Sequence, residues 1–441
     1  MADVLRIPAC PAPVRGAIRP PGSKSITNRA FVCAALARGT SRLTGVLDSQ
    51  DTRVMATCLE RLGIGIAADW EGGTVDVTGC GGRIPAATAT LDCAASGTTM
   101  RFLAAMCALG SGTYRLDGTP RMRLRPIGDL VAALHDLGIE AVAESPGGCP
   151  PVTIRSRGLA GGVAAVRSTT SSQFASGLAM AAACAAGTTR LEFTGAVVSR
   201  PYLDMTRLVM KAFGGRCDSD GDDAWVIPST GYEARNYAIE PDASAASYFF
   251  AAAAITDGEV RVDGLSRRSL QGDVGFCDAL ERMGCSVRWN EADAAGGNSI
   301  TVTGRARNGI DIDMNAVSDT VPTLAVVALF AESPTRIRNV AHIRDKETDR
   351  IGDLVRELRS LGANATEHAD GLTIVPGPLH AARLRTYDDH RMAMSLALAG
   401  LRIPGVEIQD PACVGKTFPA YWVRLGELAG FTDGWSVPNP A

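Results

Sequence analysis

Six stretches of small and apolar residues recur along the 441-residue chain, each running into a punctuating Gly or Pro and then a short strand-forming segment. They read NRAFVCAALARGTSRLTG (28–45), MRFLAAMCALGSGTYRLDG (100–118), SGLAMAAACAAGTTRLEFTG (176–195), SYFFAAAAITDGEVRVDG (247–264), TLAVVALFAESPTRIRNV (323–340) and AMSLALAGLRIPGVEIQDP (393–411). Their punctuators, Gly39, Gly112, Gly187, Gly258, Pro334 and Gly405, lie 73, 75, 71, 76 and 71 residues apart. A fixed period marks repeated supersecondary units, because one such unit cannot bury its apolar face alone.

Just ahead of these segments stand polar clusters: SKSITNR, SGTTMR, SSQF, DASAAS, SDTVPT and DDHRM. At a helix start the first amide N–H groups lack intrahelical partners and the macrodipole presents roughly half a positive charge. Each start is therefore able to bind an anion. Ser, Thr and Asp are accounted for as N-caps. The Lys, Arg, Gln and His among them are not, since capping needs no cation. Several such starts together predict a pocket for a heavily charged anion.

A second series interleaves with the first. Helix-like segments run into Gly63, Gly138, Gly214, Gly284 and Gly362, where φ is expected to turn positive past the helix end. The last candidate, FPAYWVRLGELAG, closes the chain less regularly. The motifs RMRLRPIG, VSRPYLD, LQGD, DKETDR and GKTFP precede these helices, and segments such as TVDVTG, PVTIRS and SITVTG supply strands. Six units of two helices and several strands predict an α/β fold, and the length suits two domains of three units each.

Composition narrows the function. A hydrophobic share of 46% gives ample core, while no apolar run approaches the roughly 18 residues of a membrane span. The start, MADVLRIPACPAP, lacks a basic segment followed by an apolar one, so a cytoplasmic protein is expected. Twelve scattered cysteines form no C-x-x-C pair and five histidines never fall at i, i+4, so neither disulfides nor a metal site is expected. A net charge of −3 speaks against nucleic acid as partner. Only four lysines accompany 40 arginines, and three of them, Lys24, Lys346 and Lys416, fall inside the polar motifs. Lys is the residue for a compact, titratable charge. GKTFP lacks the glycine five residues upstream that a phosphate-binding loop needs, so no nucleotide loop is expected.

Taken together, PGSKSITNRA, SGTTMRFL, DGTPRMRLRPIGDLV, SSQF, SRPYLDMT, DASAASYF, RDKETDR, TYDDHRMAM and GKTFP stand in the order and spacing of the 5-enolpyruvylshikimate-3-phosphate synthases, and the chain resembles that family over roughly residues 13–425. The resemblance implies a two-domain enolpyruvyl transferase fold of six βαβαββ repeats, three per domain around pseudo-threefold axes. It assigns 1–22 plus 242–441 to one domain and 23–241 to the other, with both substrates in the cleft between them. It implies transfer of the enolpyruvyl group of phosphoenolpyruvate to the 5-hydroxyl of shikimate 3-phosphate, with release of phosphate; a monomer is expected, and the missing metal-ligand spacing and nucleotide loop lead to the expectation of no cofactor. By the same resemblance Lys24, Gly97, Arg125, Gln173, Arg350, Arg391 and Lys416 bind phosphoenolpyruvate. Lys24, Ser25, Arg29, Ser171, Ser172, Gln173, Ser199, Asp319 and Lys346 bind shikimate 3-phosphate. Position 342, often Asn in the family, is His342, and Ala95 replaces a common Asn beside Gly97, which shapes the site that glyphosate takes in the family.

The chemistry suits those residue types. Two substrates that each carry a phosphate and a carboxylate bring four anionic groups to one place, and Arg matches a planar carboxylate while Lys acts as a point charge. The resemblance makes Asp319 the base on the hydroxyl, Glu347 the acid on the donor's methylene carbon and Lys24 the helper at the departing phosphate. A carboxylic acid in that role needs its proton affinity raised by burial or a like charge. Read from the sequence alone, Asp319 also suits the N-cap of the following helix, and His390 suits a structural place better than that of the base. The sister transferase acting on UDP-N-acetylglucosamine carries Asn after the first motif lysine, where this chain has Ser25. An acceptor related to shikimate, and a non-catalytic protein of the same fold, are the other readings.

Overall fold

The computed structural model describes residues 4–167, 171–195, 198–291 and 297–431. Two compact units divide the chain: Met1–Pro21 with Glu240–Ala441, and Gly22–Ile239. They are called here the discontinuous and the continuous unit.

Among the described residues twelve α-helices form two interleaved series. The first series comprises α1 (Lys24–Leu36), α3 (Gly97–Met106), α5 (Ser172–Ala182), α7 (Ala243–Thr256), α9 (Val321–Ala328) and α11 (His390–Gly400). The second comprises α2 (Gln50–Arg61), α4 (Gly128–Asp136), α6 (Arg200–Ala212), α8 (Phe276–Arg282), α10 (Gly352–Ser360) and α12 (Tyr421–Ala429). The series differ in burial. Every residue of α3 and α11, and all of α7 but Thr256, is buried, as expected of helices apolar on all sides. In the discontinuous unit α7, α9 and α11 pack on one another, and in the continuous unit α3 lies against α1 and α5. Small residues allow that closeness: a Cβ on Gly177 of α5 would stand 3.0 Å from the carbonyl oxygen of Arg101 in α3.

The second series is amphipathic. Helix α10 buries Leu354, Val355 and Leu358 and turns Arg356 and Arg359 outward. Glycines follow all six of its members, and the φ values of Gly63, Gly138, Gly214, Gly284, Gly362 and Gly430 run from 69° to 105°. The left-handed conformation that ends each helix is thus written in the sequence.

Among the described residues six mixed sheets accompany the helix pairs. In the second repeat, strand Thr88–Asp92 runs parallel to Ser111–Asp117, which pairs antiparallel with Cys149–Arg157, itself antiparallel to Glu140–Ser145. With α3 and α4 in between, the order is βαβαββ. The third and fifth repeats copy it. Elsewhere distant segments complete the pattern. Tyr232–Glu233 and Asn236–Ala238 lie parallel to Ala37–Thr44 and close the first repeat. Arg15–Ile18 opens the fourth beside Glu259–Asp263. In the sixth, Val4–Arg6 pairs antiparallel with Glu407–Gln409, where other repeats place a strand that follows the second helix. This accounts for the irregular close of the chain: its last sheet is finished by its first strand.

Gly258 sits where the fourth repeat passes from helix to strand, and an added Cβ would overlap the backbone oxygen of Val14. Rigid backbone cannot yield as a flexible side chain can. Gly258→Ala is expected to destabilise the protein by about 2–3 kcal/mol, the range of an overpacked core. Gly138→Ala, with nothing within 4 Å of its Cβ and a φ of 76°, should lose about 1 kcal/mol. Denaturant titration of both variants checks the order.

Candidate active site

The polar motifs form one cluster in each unit. In the continuous unit, Ser23, Ser96 and Ser171 cap α1, α3 and α5 by accepting from the amides of Ile26, Thr99 and Gln173. Lys24 opens α1, and its ammonium lies 3.5 Å from the Asp51 carboxylate in the first turn of α2. Gln173, the second residue of α5, donates to Thr98 Oγ1 at 3.2 Å and accepts from Arg101 at 2.6 Å. Ser199 precedes α6 with φ 54° and ψ 47°, a conformation uncommon outside glycine. Such geometry survives only where the surroundings enforce it.

Gly97 and Arg125 are immediate neighbours. A Cβ at position 97 would lie 2.7–2.9 Å from the guanidinium atoms of Arg125. The space left by the missing side chain is therefore occupied by the Arg125 head, and a methyl group there would displace that cation.

Arg29 is placed differently from the other candidate ligands. It is 2% exposed. It donates to Thr206 Oγ1 at 2.7 Å, the Ser25 carbonyl at 2.9 Å, Ser176 Oγ at 3.4 Å and the Tyr202 carbonyl at 3.2 Å. Four of the five N–H groups of a guanidinium are thus used within the unit. Burial pushes its pKa down to about 10. Arg29 ties the first turn of α1 to α5 and α6.

The discontinuous unit holds a denser cluster centred on Arg350, which is 1% exposed. Its Nε and Nη2 grip both oxygens of Asp389 at 2.7 and 3.1 Å. Nη2 also donates to Glu347 at 2.7 Å, and Nη1 to Asp319 at 3.3 Å. Arg391 donates to the other oxygen of Asp319 at 2.6 Å, and Lys416 to the other oxygen of Glu347 at 2.8 Å. Three cations face three carboxylates. Burial works against the Arg350 charge, but Asp389, Glu347 and Asp319 more than offset it, so its proton is held more firmly than in free arginine.

Local folding explains the convergence. Asp319 stands one residue before the end of the 3₁₀ turn Asn315–Thr320, and Lys416 ends another, Pro411–Lys416. Asp389 caps α11 by accepting from the Arg391 amide at 2.8 Å, which fixes the helix start and the Arg350 partner with one carboxylate. The capping expectation for Asp319 fails: the N-cap of α9 is Thr320, which makes no side-chain cap bond, and the Asp319 oxygens turn to the two arginines. His390 lies buried beside Asp389, its Nδ1 3.9 Å from the carboxylate.

Two residues outside the expected set hold it in place. Arg101 orders Gln173 and stacks over Phe174 at 5.3 Å, and Asp389 anchors Arg350. Arg101 was visible in SGTTMR but indistinguishable from a helix-surface arginine. Asp389 read as a cap, which it also is.

The fold is that of the enolpyruvyl transferases. The solved enolpyruvyl transferase NikO from Streptomyces tendae superimposes with a TM-score of 0.73 at 20% identity, over 97% of this chain and 98% of its own. EPSP synthase from Acinetobacter baumannii superimposes with a TM-score of 0.81 at 25% identity, over 98% and 99% of the two chains. The family model for EPSP synthase (3-phosphoshikimate 1-carboxyvinyltransferase) matches residues 8–425. A 3-phosphoshikimate 1-carboxyvinyltransferase of Nostoc punctiforme is 47% identical over 428 residues, 97% of this chain and 99% of that protein. The chain belongs to the EPSP synthase family.

His342 gives this cluster a pH dependence. It is buried, its Nε2 lies 3.0 Å from Ser318 Oγ, and burial, followed by the Lys346 charge, pushes its pKa from 6.5 down to about 4 against the pull of Asp319. Above the unfolded pKa both states are neutral and the contribution is complete. As pH falls from about 6.5 to about 4, the unfolded chain takes up a proton that the folded chain refuses, so stability is lost. The loss is about 3 kcal/mol at most. His342→Asn should abolish this share, seen as a flatter stability profile in denaturant titrations across that range.

Proposed function

We propose that this chain transfers the 1-carboxyvinyl group of phosphoenolpyruvate to the 5-hydroxyl of shikimate 3-phosphate, releasing phosphate, on the route to chorismate and the aromatic amino acids. The observation that carries the reading is the family match across residues 8–425. The charge arrangement supports it, because substrates rich in anions call for the cations that both clusters supply.

The donor is read as bound by Lys24, Gly97, Arg125, Gln173, Arg350, Arg391 and Lys416. The acceptor is read as bound by Lys24, Ser25, Arg29, Ser171, Ser172, Gln173, Ser199, Asp319 and Lys346. Arg29 has one N–H left to offer by the count above, so its share is mainly to hold Ser25 and α6. Glyphosate, as an anion competing for the donor's place, would meet the same Gly97–Arg125 pair.

In the reaction, Glu347 gives a proton to C3 of the donor while the acceptor oxygen bonds to C2 and passes its own proton to Asp319. The tetrahedral adduct then breaks its bond to phosphate, Glu347 recovers a proton from C3, and the proton on Asp319 leaves with the phosphate beside Lys24. Nothing is oxidised or reduced, so the balanced equation calls for no redox cofactor.

Two cations on Glu347 favour its ionised form. An acid role follows once the donor's phosphate and carboxylate draw Arg350 and Lys416 toward themselves, which loosens their hold on Glu347. Substrate binding thereby creates the acid it needs. All twelve cysteines are free thiols, and the reducing cytoplasm keeps thiols in that state. The proposal places the enzyme there as a monomer, with each unit acting as a domain.

A phosphate-release assay tests the reading: release should require both phosphoenolpyruvate and shikimate 3-phosphate. Release with UDP-N-acetylglucosamine instead, or none at all, would overturn it. Asp319→Ala and Glu347→Ala should each lower kcat by about 100-fold or more, the range of a general acid or base, while Asp319→Asn still binds shikimate 3-phosphate in calorimetry. Near-normal turnover in either alanine variant removes that residue from its role.

A further inference from the structure

The buried face of α10 carries one acidic residue. Glu357 stands there with Leu354, Val355 and Leu358 and is 3% exposed, while its neighbour Arg356 faces outward. A carboxylate withdrawn from water needs partners. Both of its oxygens grip one segment: Oε2 accepts from the Arg385 amide at 2.9 Å, and Oε1 accepts from the Tyr387 hydroxyl. Arg356 donates to the same hydroxyl oxygen at 3.1 Å, which leaves the hydroxyl proton directed at Glu357. None of these four residues is among those read as touching substrate.

The segment so held is strained. The Asp389 amide donates to the Thr386 carbonyl at 2.9 Å and closes a four-residue turn. Its central residues, Tyr387 and Asp388, have φ values of 57° and 55°. A turn with both central residues left-handed is the form dominated by Gly, Asn and Asp, and a tyrosine there carries a steric cost. Among the described residues no other two neighbouring non-glycine residues both have positive φ. Surroundings must impose such backbone, and Glu357 supplies the constraint by gripping the chain on both sides of Thr386. The turn ends on Asp389, which caps α11 and takes the Arg350 fork at 2.7 and 3.1 Å. Arg350 itself stands just before α10. One helix thus fixes both ends of the ion pair, Arg350 at its start and Asp389 through Glu357 and the turn.

We propose that Glu357 and Tyr387 are positioning residues for the donor site: the buried carboxylate holds the Tyr387 hydroxyl, the held tyrosine keeps the turn left-handed, and the turn aims Asp389 at Arg350. Neither residue touches substrate. With the clamp open, residues 387 and 388 relax toward negative φ and the Asp389 carboxylate swings away from the guanidinium. Arg350 then turns toward Glu347 and Asp319, which still accept from it. The cluster keeps its charges and loses the geometry in which they meet the donor. The inference rests on the reading of Arg350 as a ligand of phosphoenolpyruvate.

The test is a series of variants at position 387, with KM read for each substrate by phosphate release. Tyr387→Phe keeps the ring and removes the hydroxyl. Its KM for phosphoenolpyruvate should rise about tenfold, the scale of one hydrogen bond to a charged group. The KM for shikimate 3-phosphate should stay unchanged, since most of its assigned ligands stand in the continuous unit. Glu357→Gln leaves one oxygen for two donors and should show the same split. Tyr387→Ala should be impaired at least as much as Tyr387→Phe, whereas Tyr387→Gly should lie closer to wild type, because glycine takes positive φ without a steric penalty. A tyrosine that merely filled space would give no such recovery, since glycine removes more than alanine does. An unchanged KM in Tyr387→Phe, or a Tyr387→Gly no better than Tyr387→Ala, would overturn the proposal. If the alanine variant does not fold, Tyr387→Phe still decides. A second readout needs no turnover and so stands apart from the transfer reading: the Nε–H resonance of Arg350, identified by its loss in Arg350→Lys. A shift of that resonance in Tyr387→Phe supports the clamp, and an unmoved resonance overturns it whatever substrate the enzyme takes.

Discussion

Arg350 is a guanidinium withdrawn from water, and the discontinuous unit is arranged to make that tolerable. An isolated buried charge would be prohibitive. Here the fork takes both oxygens of Asp389 and leaves donors for Glu347 and Asp319. These carboxylates come from three places in the chain, so one cation ties the DKETDR motif to the turn before α9 and to the cap of α11. Removing one partner of such a pair typically costs 3–5 kcal/mol, roughly, because the other is left buried and uncompensated. Only a planar, five-donor head can serve three carboxylates in this way.

The balance of charge connects this structural role to chemistry. Arg350, Arg391 and Lys416 are neutralised internally by Asp319, Glu347 and Asp389. On the proposed function, an incoming anion would meet cations already positioned and would displace carboxylates whose chemistry depends on how tightly those cations hold them, so that binding and proton transfer would be two aspects of one redistribution. The continuous unit sets capped helix starts beside Arg125 at Gly97 and beside Lys24, whose ammonium faces the Asp51 carboxylate.

Much of the fold was legible because repetition and helix ends are local signals. The punctuator spacing located all six buried helices, and the terminal glycines located the amphipathic ones. The closure of the sixth repeat by Val4–Arg6 was not legible, since nothing in a strand of three residues names a partner 400 positions away. Within the site, residue types and motif order were visible, but their pairing was not. Asp319 looked like a cap and is instead shared by two arginines. Asp389 looked like a cap and is also the main anchor of Arg350. A capping carboxylate and a charge-pairing carboxylate have the same sequence signature, and only the convergence of distant turns tells them apart.

The central claim is that the shape of the Arg350 head, rather than its charge, holds Asp319, Glu347 and Asp389 in working order. Arg350→Lys keeps the charge and removes the fork. Steady-state kinetics of this variant with phosphoenolpyruvate and shikimate 3-phosphate test the claim most directly. The account predicts a kcat/KM lower by about 100-fold or more, the scale of a lost positioning group. A kcat/KM within a few-fold of wild type would contradict it.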